Sequence, residues 1–96
     1  MKSSVLRRIT GIFRLLSSSV RLRIIVLLSK RRMTVKEIAK RLRRRSQNIS
    51  QHLRYLKIRG IVGYRKKENK HFYYLRKRNL LNVITTVKNI FTRKTK

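Results

Sequence analysis

Three amides, Gln47, Asn48 and Gln51, stand in a window without formal charge, Ser46 to Leu53, within the stretch RLRRRSQNISQHLRYLKIRG. Directly before the window come Arg43, Arg44 and Arg45, three of the four arginines in residues 41–45. The chemistry open to such a set is recognition rather than bond-making. A carboxamide donates and accepts in one plane, so Gln or Asn can pair bidentately with N6 and N7 of adenine. Arginine binds phosphate wherever it meets it, which fixes position and register but reads no sequence. Lysines in the amide positions would bind phosphate anywhere and read little.

Catalytic chemistry has little to work with. The only acids are Glu37 and Glu68, and the two histidines, His52 and His71, have no carboxylate within their own motifs. No nucleophile, base and acid can be assembled, and no glycine-rich phosphate loop is present. The chain has no cysteine, which excludes disulfides and thiolate metal sites. Two histidines without neighbouring acids make no convincing metal site. We therefore expect no enzyme, no cofactor and no metal. His52 falls at the edge of a buried helix face, where a phosphate contact or a structural hydrogen bond suits it. His71 is expected to be exposed.

The charge balance points to a polyanion. Among 96 residues, 29 are Lys or Arg, and the formal net charge is +27. A chain so charged repels itself unless a polyanion neutralises it. Two copies would carry +54, matching the phosphates of roughly 27 base pairs of duplex. Hydrophobic residues make up 41% of the chain, so residues 1–96 can build the core of one domain. A domain this small gains from pairing with a second copy. No uncharged run approaches the ~18 residues of a membrane span. MKSSVLRRITGIFRLLSSS superficially resembles a targeting peptide, but arginines interrupt its apolar residues and no small-residue cleavage site is clear. The expected setting is the interior of a cell.

Positioning the amides requires helices. Val5, Leu6, Ile9, Ile12, Phe13 and Leu16 recur at helical spacing, with Gly11 weakening that helix without ending it. The serines at 17–19 break it, and Ser19 is a candidate N-cap for VRLRIIVLLSK. That segment is apolar nearly all round and buries either Leu22, Ile25, Val26 and Leu28 or Ile24 and Leu27. After RRMT, a short connector with room for a strand residue or two, Thr34 and Glu37 have capping-box spacing before a helix with Ile38, Ala39 and Leu42 inward. A fourth helix runs from about Ser46 to Ile58 on Ile49, Leu53 and Leu56, and Gly60 is a plausible terminator. IVGYRK and HFYYLR read as strands around a KENK turn, with Asn69 the favoured left-handed residue. NLLNVITTVKNIF places Leu80, Val83, Ile84, Val87, Ile90 and Phe91 on one broad face. Met1 to Ser4 and Thr92 to Lys96 read as tails.

Two helices joined by a short turn and followed by a β-hairpin form the winged helix-turn-helix pattern. VRLRIIVLLSKRRMTVKEIAKRL, ISQHLRYLKIRGIV and KHFYYL resemble the ArsR-type family of winged-helix transcription regulators over residues 20–76. Each fragment alone is weak, but their order and separations together are specific. The resemblance implies a mostly α fold with a small β-hairpin (α+β). It also implies a homodimer formed by the first helix, 4–17, and the last, 78–91, and double-stranded DNA as partner. The broad apolar faces of those two helices point the same way without the resemblance. Departures from the family are plain. Ala39 stands where many members have metal-sensing cysteines, residues 78–91 lack the acids and histidines of a second family metal site, and Arg45 replaces the usual serine cap. Members are also not usually this basic.

With Ile49, Leu53 and Leu56 inward, about 100° per residue turns Gln47, Gln51 and Arg54 outward and puts Asn48, Ser50 and Tyr55 on the flanks. The resemblance makes this the recognition helix. Gln47, Asn48 and Gln51 are the candidate base readers. Arg43, Arg44, Arg45, Ser46, Ser50, His52 and Arg54 are candidate backbone contacts, and Arg65, Lys66, Lys67, Lys70 and His71 are candidate wing contacts. The plainer alternatives are a solvated helix face and a solvated hairpin. Tyr73 and Tyr74 could stack on single-stranded bases but suit packing against the helices better. Four functions compete: a transcription regulator with a large sequence-independent component, a nucleoid or chromatin protein that coats or bridges DNA, an RNA-binding or ribosome-associated protein, and a membrane-active cationic peptide suggested only by residues 1–16. The helix order disfavours the last two. The charge outside the motif, Arg7, Arg8, Arg14, Arg21, Arg23, Lys30, Arg31, Arg32, Arg93, Lys94 and Lys96, keeps bridging open beside regulation.

Overall fold

The computed structural model describes residues 1–92. The elements are α1 (Ser3–Leu16), α2 (Ser19–Lys30), α3 (Val35–Leu42), α4 (Ser46–Ile58), β1 (Val62–Lys67), β2 (Lys70–Leu75) and α5 (Leu80–Thr92). This is the expected order of four helices, hairpin and helix. Ser3, Ser4 and Thr92 belong to helices rather than to tails. The tail charges Arg93, Lys94 and Lys96 lie outside the described residues.

The core is one apolar cluster drawn from every element. Ile24 and Ile25 of α2, Ile38 of α3 and Ile49, Leu53 and Leu56 of α4 are fully buried at its centre, and among the described residues no polar or charged side chain is buried with them. The faces of α3 and α4 are those the spacing predicts. In α2 the rotation is settled differently from either expected set: Val20, Ile24, Ile25 and Leu28 are buried, Leu22 and Leu27 are half-buried, and Val26 is exposed. A helix apolar all round gives no stripe from which to read its rotation, and only its neighbours fix it. In α1 Leu15, which the expected stripe does not include, is fully buried, and Ile12 and Leu16 of the stripe pack half-buried against the core, but Val5, Leu6, Ile9 and Phe13 do not. Those four remain exposed.

Local chemistry sets the ends of the elements. Ser18, not Ser19, caps α2, accepting from the Arg21 N–H at 3.2 Å. All three serines can cap, and the choice falls to the one whose backbone is extended at the bend after α1. The capping box of α3 forms as its spacing predicts: Thr34 Oγ1 accepts from the Glu37 N–H at 3.2 Å, and Glu37 Oε1 accepts from the Thr34 N–H at 2.9 Å. The latter bond is the largest cause holding the Glu37 carboxyl below its usual pKa, with Arg31 adding to it. At the end of α4, Gly60 takes a left-handed φ of 75°. Its N–H donates to the Lys57 carbonyl at 2.9 Å and the Ile61 N–H to the Leu56 carbonyl at 2.9 Å, the paired bonds of a Schellman motif. Gly11 lies buried in α1 because the Arg59 guanidinium passes over it, within 2.6 Å of where a Cβ would sit.

Strands β1 and β2 pair antiparallel, Val62 with Leu75 through Lys67 with Lys70. Both turn residues, Glu68 (φ 51°) and Asn69 (φ 63°), are left-handed, not Asn69 alone. A two-residue hairpin loop whose twist suits its strands needs positive φ at both positions, so Glu68 follows geometry rather than preference. Met33, between α2 and α3, exchanges backbone bonds with Tyr73 (3.1 and 2.8 Å) and ties the helix-turn-helix to the wing. Thr34→Ala should remove one bond of the capping box and lower unfolding stability by about 1 kcal/mol. Denaturant melts of the two proteins measure this, and an unchanged midpoint would show that α3 is held by packing alone.

Candidate nucleic-acid interface

The turn between α3 and α4 is built from Arg43, Arg44 and Arg45. The left-handed residue that ends α3 is Arg43 (φ 55°), with the Arg44 N–H donating to the Ala39 carbonyl at 3.0 Å. A left-handed conformation costs a non-glycine residue about 1 kcal/mol or more. The turn thus keeps a charge where glycine would be more stable. Arg45 occupies the N-cap of α4 and makes no side-chain bond there. The expected serine cap is lost rather than shifted to Ser46. The first-turn N–H groups of α4 therefore lack a side-chain acceptor and lie beside exposed arginines, an arrangement that suits a phosphate oxygen.

Along α4, Gln47, Gln51 and Arg54 are exposed, as are Ser46 and Ser50. Asn48 is half-buried on the flank, and its Oδ1 accepts a long bond from Arg44 Nη1 at 3.4 Å. That contact couples one amide to the arginine turn. Tyr55, on the other flank, is half-buried beneath the Arg21 guanidinium at 4.4 Å and near that of Arg59 at 5.6 Å. Arg21 also donates from Nε to the Leu15 carbonyl at 3.0 Å, so it serves the join between α1 and α2.

His52 is half-buried, as its place on the helix predicts. Burial pushes its pKa below the ordinary 6.5, and the positive charges of Arg21 and Arg44 push the same way. All three causes favour the neutral imidazole, which can hydrogen-bond but carries no charge.

The hairpin divides its basic residues between two faces. Cross-strand partners share a face, so Tyr64, Lys66, His71 and Tyr73 lie on one side and Arg65, Lys67, Lys70, Phe72 and Tyr74 on the other. His71 is exposed and stacks on Tyr64 with ring centroids 4.4 Å apart. Lys57 of α4 lies over the same Tyr64 ring at 4.6 Å, which joins α4 to the hairpin. Tyr73 and Tyr74 are both half-buried, and burial raises the Tyr73 hydroxyl pKa.

Two further basic residues join this surface. Arg23 of α2 lines a recess of 400 Å³ with Arg43, Arg44, Arg45 and Asn48. Lys36, at the start of α3, lines a recess of 610 Å³ with the wing-tip residues Asn69, Lys70 and His71. The sequence marks both as basic, but no spacing rule brings α2 to the arginine turn or α3 to the wing tip. Among the described residues, no three His, Cys, Asp or Glu side chains come together, and no helix is long and apolar enough to cross a membrane.

His52 also sets a pH dependence. Because its folded pKa lies below its unfolded value, its effect on stability is neutral above about pH 7. Stability then falls as acidification through 6.5 protonates the unfolded chain first. His52→Gln should flatten stability measured between about pH 7.5 and pH 5. Identical pH profiles for the two proteins would show that another group governs the loss.

Comparison with known proteins follows this geometry. Residues 16–62 match a family model described as a helix-turn-helix domain. Comparison of the sequence with curated proteins found no match. The fold is shared with HlyU from Vibrio cholerae, at 24% identity and a TM-score of 0.79, over 97% of this chain and 100% of that one. It is shared too with the transcriptional repressor BigR from Xylella fastidiosa, at 22% identity and a TM-score of 0.80, over 98% of this chain and 100% of that one. A third similar structure is the homodimeric winged helix-turn-helix DNA-binding domain (fragment 1-100) of Mb0332 from Mycobacterium bovis, described as a possible ArsR-family regulator. It is 22% identical with a TM-score of 0.79, over 92% of this chain and 82% of that one. The chain thus has the winged helix-turn-helix fold of these structures, as its motifs predict.

Proposed function

We propose that this protein is a double-stranded DNA-binding transcription regulator that acts as a homodimer inside the cell and binds with a large sequence-independent electrostatic component. The observation that carries the reading is the exposed Gln47 and Gln51 pair on α4, directly behind a turn of three exposed arginines. In this reading α4 enters the major groove, Gln47, Asn48 and Gln51 meet base edges, and Arg43, Arg44, Arg45, Ser46, Ser50 and Arg54 hold the backbone. His52 approaches the backbone as a neutral group. Arg65, Lys66, Lys67, Lys70 and His71 bring the wing to the flanking phosphates or minor groove. The similar structures include a repressor and a homodimeric DNA-binding domain, which supports this reading. No step of bond chemistry is involved, and no cofactor or metal is required.

The dimer follows from uncovered apolar surface. Leu6 and Phe13 of α1 and Ile90 and Phe91 of α5 are each more than half exposed. A groove of 340 Å³ between these helices is lined by Phe13, Leu16, Leu22, Val83, Ile84 and Val87. A second copy laid on this surface would bury these side chains, each worth roughly 1.5–3 kcal/mol when fully covered. Phe13→Glu combined with Ile90→Glu should convert a species of twice the chain mass into monomer in sedimentation and weaken DNA binding. A wild type that sediments as monomer at high concentration would refute the dimer.

Selection from a random duplex pool at two salt concentrations tests base reading. A palindromic motif that sharpens at higher salt is expected, because phosphate contacts are screened while base contacts remain. Gln47→Ala with Gln51→Ala should flatten the motif and leave non-specific affinity nearly intact. Arg44→Ala and Lys67→Ala should weaken all sequences alike, each lowering the salt slope by about one. Absence of any motif, with affinity collapsing on every sequence, would instead mark an architectural DNA-coating protein.

A further inference from the structure

Behind the hairpin, on the side turned away from α4, lies charge that neither α4 nor the wing tip accounts for. Lys57 of α4 lies over Tyr64, so the Tyr64 face looks toward α4, and strand alternation turns Arg65, Phe72 and Tyr74 the other way. On that side a cleft of 350 Å³ opens between the hairpin and the end of α2, lined by Lys30, Arg31, Arg32, Tyr74 and Arg78. The guanidinium of Arg32 lies over the Tyr74 ring at 5.7 Å, while that of Arg65, a wing contact of the first duplex, lies 5.8 Å from the same ring outside the cleft. An aromatic face orients a guanidinium while leaving its N–H edge free to bind.

Two details adapt the cleft to an anion. The negative end of α2 would repel one, but Arg78 donates to the Ser29 carbonyl there at 3.1 Å. The nearby carboxylate, Glu37, already accepts from Thr34 and pairs with Arg31 at 3.4 Å, the only ion pair among the described residues. Lys30, Arg32 and Arg78 thus face the cleft without a carboxylate of their own. Tyr74 is half-buried and packs over Gly63, where a Cβ would come within 2.8 Å of its hydroxyl. It serves the arginines rather than offering a free platform for an unpaired base, so the cleft suits the backbone of a duplex better than a single strand.

We infer that this cleft is a second phosphate-binding surface, which holds a second DNA duplex while α4 holds the first. The inference rests on the reading of α4 as the primary DNA surface. It makes the protein a bridge between duplexes built into each protomer, independent of how two copies of α4 are arranged.

The test is a two-step capture. Protein is bound to a duplex fixed on beads, excess is washed away, and a labelled second duplex is added. The wild type should retain the second duplex. Lys30→Gln, Arg32→Gln and Arg78→Gln together should reduce that retention roughly tenfold, while first-step binding changes far less. Because Arg78 also holds the Ser29 carbonyl, Lys30→Gln with Arg32→Gln alone should show a smaller loss in the same direction, with an unchanged thermal melt. Retention of the second duplex by both variants as by the wild type would overturn the inference, as would a wild type that holds one duplex at saturation. Preference for structured RNA over duplex at equal phosphate concentration in the second step would overturn the assignment to DNA. Failure at the first step counts against the α4 reading, whereas failure confined to the second counts against the cleft.

Discussion

Mutual repulsion among 29 cationic side chains is the constraint to which the rest of this molecule answers. Two carboxylates cannot neutralise it, and one of them is committed to the cap of α3. Cohesion must come chiefly from apolar burial, and among the described residues the core accordingly holds no charged or polar side chain. Among the described residues no cation is buried, and solvent and salt screen them. Binding a polyanion lowers the same repulsive energy that opposes folding, so ligand binding and stability are coupled through charge.

The arginine turn shows how far local stability yields to this chemistry. Arg43 takes a backbone conformation that glycine would take at less cost, and Arg45 stands where a serine or aspartate would cap α4. Both departures lower the stability of the helix-turn-helix and both place positive charge at the start of α4. Strain held by a well-packed surround is a mark of functional sites. Here the surround is the seam of Ile38, Ala39 and Leu42 against Ile49 and Leu53, all buried.

Aromatic rings do for the cations what carboxylates do in less basic proteins. Tyr55, Tyr64 and Tyr74 each lie beneath at least one Arg or Lys. A ring attracts a cation without carrying a formal negative charge. Positive charges can therefore be positioned while the net charge offered to a polyanion stays intact, which a lattice of ion pairs would not permit.

The sequence by itself determined the element order, the inward faces of α3 and α4, the capping box at Thr34 and Glu37, the glycine stop at Gly60 and the outward amides of α4. Each depends on residues within a few positions of one another, where helical periodicity and capping act. Only the tertiary structure decided the rotation of α2, the burial of Leu15 and the exposure of Val5, Leu6, Ile9 and Phe13 in α1, and the choice of Ser18 as cap. It alone brought Arg23 to the arginine turn and Lys36 to the wing tip. It also set Lys30, Arg32 and Arg78 around Tyr74. These depend on which segments, distant in sequence, pack together. A side chain's position along its own helix does not specify the neighbour it will meet.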